Sequence, residues 1–109
     1  MVEDDPATRE ALHQLLAQRG WRVTVAASLR GAIVALAQPP RWVVLDLMLP
    51  DGDGVELLEV LQPQRTVTSV VVVTAVTDPD HLDRARAFEP KALLHKPADW
   101  QQLLAVLEA

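Results

Sequence analysis

The stretch Val43-Val44-Leu45-Asp46-Leu47-Met48-Leu49-Pro50-Asp51-Gly52-Asp53-Gly54 decides the fold. Together with Trp42, its beginning is a short, wholly apolar run that stops at a carboxylate, Asp46. Its end, read on as Asp53-Gly54-Val55-Glu56, has the spacing of a capping box and opens a helix to about Leu61. A strand apolar along its whole length, rather than alternating, belongs to a parallel sheet covered on both faces. The same unit recurs on both sides. Downstream, Val70 to Val73 is a second apolar strand ending at Thr74, and Ala92 to His95 is another, followed by Lys96. Upstream, Trp21 to Ala26 reads as a strand rich in β-branched residues, and Met1-Val2 stands where a first strand is expected.

Amphipathic runs fill the intervals. Pro6 to Arg19 carries Leu12, Leu15, Leu16 and Arg19 at helical spacing and ends at Gly20. Ser28 caps a helix through about Ala37, closed by Pro39-Pro40. Asp80 to Phe88 reads as a helix, and Asp99 to Glu108 as a last one with Leu103, Leu104 and Leu107 inward. The pattern is (βα)5, which predicts an α/β fold: a doubly wound, five-stranded parallel sheet of flavodoxin-like type, strand order 2-1-3-4-5, with right-handed crossovers.

Composition narrows the function classes. The 109 residues hold one domain, spanning 1–109, and half of them are apolar. Cysteine is absent, so disulfides and thiolate–metal chemistry are excluded. The net charge of −5, with arginines scattered from Arg9 to Arg86, argues against direct nucleic-acid binding. No apolar run approaches the ~20 residues of a membrane span, and no signal peptide is visible. A soluble, cytoplasmic chain is expected.

In open parallel sheets, ligands sit beyond the carboxyl ends of the strands. The residues there are Glu3-Asp4-Asp5, Ala27, Asp46, Thr74 and Lys96. If the first and third strands are neighbours, Glu3, Asp4 and Asp46 converge. Two carboxylates about 4 Å apart repel by about 4 kcal/mol at an effective dielectric near 20, so such a cluster calls for protons or a hard cation. Magnesium suits it, since it takes octahedral oxygens and keeps some waters while bridging to a phosphate. Lys96 and Thr74 then stand ready to hold two further phosphate oxygens.

Each signal also has a plainer explanation: Glu3-Asp4-Asp5 as a solvated turn, Asp46 as a turn cap, Thr74 as a backbone partner, Lys96-Pro97 as an ordinary loop pair. Their joint fall at strand carboxyl ends favours the phosphoryl site. Other motifs fail on spacing. Asp51-Gly52-Asp53-Gly54 matches part of a calcium loop, but that frame puts Leu49 first and Val60 twelfth, where ligands are needed. Neither a phosphate-binding glycine loop nor Gly-x-Gly-x-x-Gly is present. A haloacid-dehalogenase-like phosphatase needs an Asp two positions beyond its nucleophile, where Met48 stands. His13 and His81 are expected exposed on helices and His95 lies within the last strand, so no histidine metal set forms.

Four stretches resemble the response-regulator receiver family of two-component signalling, with chemotaxis-type single-domain regulators as the nearest architecture: Val2-Glu3-Asp4-Asp5-Pro6, Val43 through Gly54, Val71-Val72-Val73-Thr74-Ala75, and Leu94-His95-Lys96-Pro97. They lie in the family's order and approximate spacing. The resemblance implies that Asp46 is the phosphoacceptor, that Glu3, Asp4, Asp46 and the Met48 carbonyl organise Mg2+, that Thr74 is the switch hydroxyl, and that Lys96 pairs the phosphate. Ala75 is small enough to leave room beside it. It further implies a phosphohistidine donor on a sensor histidine kinase or phosphotransfer protein, and a signalling switch rather than an enzyme. Phosphorylation would reshape the face of the fourth helix, fifth strand and fifth helix, the expected surface for an effector or a second copy.

Three departures stand out. Leu93 occupies the place where the family usually has an aromatic that follows the switch hydroxyl. Glu89-Pro90 stands where Gly-Ala is common, predicting a stiffer lead-in to the fifth strand. Only Met1-Val2 precede Glu3, so the first strand is curtailed against a usual ~5 residues; the chain is then a fragment or mis-started reading of a longer protein, or the sheet has rearranged, with a free α-amine placed to compete for the metal. Leu93 and the short strand leave open a pseudo-receiver, the same fold used for docking or dimerisation without phosphorylation. An unrelated flavodoxin-like binding domain is the third reading.

Overall fold

A computed structural model describes residues 1–109. The pleat sorts the apolar runs onto two faces. In the central strand β4 (Ser69–Thr74), Val70 and Val72 join one core cluster while Val71 and Val73 join the other. Strand β1 (Trp42–Leu45) divides likewise, Val43 and Leu45 against Val44. This period of two, apolar on both sides, is what a sheet covered twice requires. Helices α2 (Leu29–Ala35), α3 (Gly54–Leu61) and α4 (Pro79–Arg86) cover the first face, and α1 (Pro6–Gln18) and α5 (Trp100–Leu107) the second. No helix is long and apolar enough to cross a membrane.

Side chains set the helix starts. Asp5, Ser28, Asp53, Asp78 and Asp99 are N-caps, each accepting from a backbone N–H of the first turn, and Pro6 and Pro79 follow their caps where a missing N–H is harmless. The fourth helix accordingly begins one residue earlier than its expected start at Asp80.

Strands β1, β4 and β5 (Ala92–His95) pair in parallel in that order. Beyond β1, Val2 makes single parallel bridges to Leu45 on one side and Ala26 on the other. The bridges reproduce the 2-1-3-4-5 order expected from the sequence, but the first two members are reduced to one bridged residue each. Trp21 to Ala26 is not a regular strand as expected: with Met1 and Val2 alone beside it, its residues up to Val25 find no ladder partner. The Met1 amine donates to the Thr24 carbonyl at 2.9 Å and makes no ion pair with the acidic cluster, against the expected competition for a metal there. Burial pushes its pKa down to about 6.

Between β1 and α3, strands β2 (Met48–Leu49) and β3 (Gly52–Asp53) form a minimal antiparallel hairpin. It folds back so tightly that a Cβ on Gly54 would lie 2.5 Å from the Asp46 carbonyl oxygen and 2.7 Å from the Leu47 Cα. Both obstacles are backbone. Gly54→Ala should therefore cost about 1–3 kcal/mol, read as a lower denaturant midpoint at unchanged slope. Glu89 takes a φ of 55°, the left-handed region, just before Pro90. Relief of that strain predicts that Glu89→Gly raises stability by about 1 kcal/mol, less any gain in unfolded-chain entropy, in the same measurement.

Candidate functional site

The register of the sheet assembles the site at its carboxyl edge. Val2 N–H donates to the Val44 carbonyl and Asp46 N–H to the Val2 carbonyl, at 2.8 and 3.0 Å, which fixes Glu3 beside Asp46. Thr74 pairs with His95, and Lys96 N–H donates to the Thr74 carbonyl, so the end of β5 delivers Lys96 to the same edge. Lys96 Nζ then bridges two acids, 2.8 Å from Asp46 Oδ2 and 2.6 Å from Glu3 Oε2. Both carboxylates are buried.

The remaining oxygens are placed too. Asp46 Oδ1 accepts from the Met48 N–H at 3.0 Å, and Glu3 Oε1 from the Asp5 N–H at 3.1 Å. Asp4 is exposed and its carboxylate makes no hydrogen bond within the protein. Oxygens of Glu3, Asp4 and Asp46 all lie within 4.8 Å of one another. Three carboxylates against one ammonium leave an excess of negative charge, with hard oxygen donors and one side open to water. That donor set fits a small divalent cation retaining several waters. Arg9 braces the acidic turn from outside, its guanidinium donating to the Glu3 and Asp4 carbonyls rather than to the carboxylates.

Thr74 is fully buried at the end of β4, and its Oγ1 accepts from the Val76 N–H at 3.1 Å. Its own hydroxyl hydrogen remains available to donate. Ala75 follows it at the exposed edge, and Met48 lies exposed just past Asp46. Leu93 is half-buried and packs on the α2–α3–α4 side of the sheet rather than reaching the site.

Three residues that sequence reasoning passed over support the loop carrying Asp46. Asp51 accepts from the Leu29 and Arg30 N–H groups at 2.7 and 3.0 Å, capping α2 from a distant loop. Asp53 caps α3 and is gripped from α4 by His81, at 2.9 Å, with Arg84 at 3.7 Å. His81 was expected to be exposed; its side chain is largely covered because it faces α3 across this contact. The one available signal was Asp51-Gly52-Asp53-Gly54, whose acids serve as caps rather than as calcium ligands.

Burial draws the Lys96 pKa down, but the hydrogen bonds and charges of Asp46 and Glu3 outweigh it, leaving it above its ordinary 10.5. A cation with a raised folded-state pKa contributes stability that is complete below its unfolded pKa and fades as pH rises through the folded value. In metal-free buffer, Lys96→Met should thus cost about 1–2 kcal/mol, reduced from a fully buried pair by the water-facing side of the ammonium. Parallel denaturation of the two proteins should give a constant difference from neutrality to about pH 10 that shrinks only above it.

Comparison with known proteins agrees with this geometry. The profile of the response regulator receiver domain matches residues 1–108. The acid tolerance regulatory protein ActR of Rhizobium meliloti is 32% identical over 98% of this chain and 56% of its own length. The transcriptional regulatory protein KdpE of Mycobacterium tuberculosis is 36% identical over the whole chain and 48% of its own. The chain thus spans about half the length of these relatives. A CheY-like receiver domain protein of Methanospirillum hungatei superposes with a TM-score of 0.91 at 25% identity, covering 98% of this chain and 86% of that one. The signal receiver domain of an HD domain-containing protein of Pseudomonas fluorescens is 28% identical over 98% of this chain and 87% of its own, TM-score 0.89. Sequence and architecture together place the chain in the response regulator receiver domain family, the signalling switches of two-component systems rather than classical enzymes.

Proposed function

We propose that Asp46 accepts a phosphoryl group from a phosphohistidine on a sensor histidine kinase or phosphotransfer protein, in a Mg2+-dependent reaction catalysed largely by this chain. The observation that carries the reading is the Lys96 ammonium, 2.8 Å from Asp46 and 2.6 Å from Glu3, inside a cluster of three carboxylates. A carboxylate oxygen of Asp46 attacks phosphorus in line. The bond from phosphorus to the donor imidazole nitrogen breaks, and its electron pair leaves with the imidazole. Lys96, with three donors, exchanges part of its grip on Asp46 and Glu3 for the arriving equatorial oxygens. The free Thr74 hydrogen is supplied to another oxygen, and Ala75 leaves room beside it. Glu3, Asp4, Asp46 and the Met48 carbonyl would hold Mg2+, which supplies further neutralisation of the phosphoryl charge.

Once formed, the aspartyl phosphate carries more negative charge and more acceptor oxygens than the carboxylate it replaces. Thr74 is then drawn toward it, while Leu93, lacking a ring or hydroxyl, follows by packing alone. The face of α4, β5 and α5 is the surface that changes, toward a downstream effector or a second copy, and hydrolysis resets the switch.

Incubation with a small phosphodonor and Mg2+ should give one phosphoryl adduct by intact mass, lost on chelation and in Asp46→Asn. Lys96→Met should slow its formation by roughly 100-fold or more, as removal of a donor to developing charge does elsewhere. A wild-type protein that never takes up the group would instead favour a docking or dimerisation module independent of phosphorylation.

A further inference from the structure

The largest cavity in the molecule is not at the acidic site. It is an apolar groove of about 460 Å3 running from Met1 and Val2 between the segment Trp21–Ala26 and strand β1, floored by residues such as Leu16, Leu36 and Leu107. Its two long walls are backbone edges, and their hydrogen bonding shows which groups face inward. Arg41 carbonyl accepts from Ser69 N–H on the β4 side, whereas Val44 carbonyl accepts from Val2 N–H on the groove side. Groups on a parallel strand alternate between its two edges, so Val44 N–H and Trp42 carbonyl turn into the groove. On the opposite wall, Ala26 N–H donates to Met1 carbonyl and Met1 nitrogen to Thr24 carbonyl. The same alternation turns Thr24 N–H and Arg22 carbonyl inward.

We infer that this groove is an acceptor slot for an extended apolar segment leading into Met1, which would enter between the two walls as a parallel strand. Its register is determined. The residue directly ahead of Met1 receives Val44 N–H at its carbonyl and donates its own N–H to Trp42 carbonyl. The second does the same with Thr24 N–H and Arg22 carbonyl. A third meets Trp42 N–H, and there the slot ends, because Pro40 has no N–H to offer and its carbonyl already accepts from Thr68. Side chains alternate with Val2 toward Ala32 and Leu36, and with Met1 toward Trp21 and Leu107, so both faces ask for apolar residues. A segment continuous with Met1 fits better than a separate peptide, whose carboxylate would meet the Met1 amine head-on. About three residues are accommodated at strand spacing.

The test extends the whole chain ahead of Met1 by Met-Lys-Ile-Leu-Val, with Met-Lys-Gly-Ser-Gly as the control of equal length. The apolar extension should raise the melting midpoint by roughly 10 °C. It should shift tryptophan emission to the blue through Trp21 and Trp42, and slow exchange of the Val44 amide at least about 100-fold. Proline directly ahead of Met1, in place of that valine, removes the N–H for Trp42 carbonyl and should forfeit most of these gains. Equal midpoints for the apolar and Gly-Ser extensions would overturn the assignment, as would full stabilisation by the proline form, which would mean apolar cover without strand pairing. An acetylated Ile-Leu-Val peptide that stabilises the unextended chain when fusion does not would transfer the slot to a separate ligand. A dimer of the unextended chain that dissociates on extension would transfer it to a second copy; both results reject the proposal.

Discussion

One ammonium group placed between two buried carboxylates holds the carboxyl edge of this sheet together. Asp46 and Glu3 emerge from neighbouring positions in the sheet and would repel by about 4 kcal/mol at close range in a moderately polar surrounding. Lys96 converts that repulsion into two charge-assisted hydrogen bonds, and it can do so only because β5 lies beside β4 and ends level with Thr74. The ion pair therefore reports the strand order: were β5 at another edge, both acids would be buried without a partner. The compensation is incomplete, since the Asp4 charge is left over, and it is the leftover charge that makes a cationic partner electrostatically useful.

The loop that follows Asp46 has its own restraints, and they tie the site to helices on one face of the sheet. Leu47 is buried, Gly54 closes against the Asp46 and Leu47 backbone, and the intervening hairpin sends Asp51 to cap α2 and Asp53 to cap α3. His81 then connects Asp53 to α4. A change in the position of Asp46 is thus mechanically joined, through short polar contacts rather than through the apolar core, to the start of three helices. Such contacts rearrange in discrete steps, unlike close-packed aliphatic side chains.

Much of this was legible in the sequence, for identifiable reasons. The wholly apolar runs at Val43 and Val70 could only be buried parallel strands, and the acids, hydroxyl and amine that followed such runs fell at one edge by topology alone. Helix starts were readable at Ser28, Asp53 and Asp99 because a cap is a local interaction between residues two or three apart. What escaped was non-local. Asp51 caps a helix 22 residues away, and His81 reaches Asp53 across 28, so no spacing rule announces either. Trp21 to Ala26 was misread for the converse reason: its composition favours a strand, but a strand needs a ladder partner, and composition says nothing about whether one is present.

That missing ladder separates two properties usually joined in a parallel sheet. The register around Asp46 rests on Val2 and its immediate neighbours: Val2 N–H to Val44, Asp46 N–H to Val2, Glu3 N–H to Ala26 and Ala26 N–H to Met1. Four backbone bonds at about 1 kcal/mol each match the repulsion they must oppose, before Lys96 contributes anything. The site needs no more of the central strand than this, because the carboxylates sit beyond its carboxyl end and the bonds nearest that end fix their positions. Pairing further from the edge governs how much apolar surface stays exposed between Trp21 and Trp42, and so bears on the stability of the whole domain. Geometry at the acidic edge and closure of the sheet below it are therefore distinct requirements, met by different residues of the same strand.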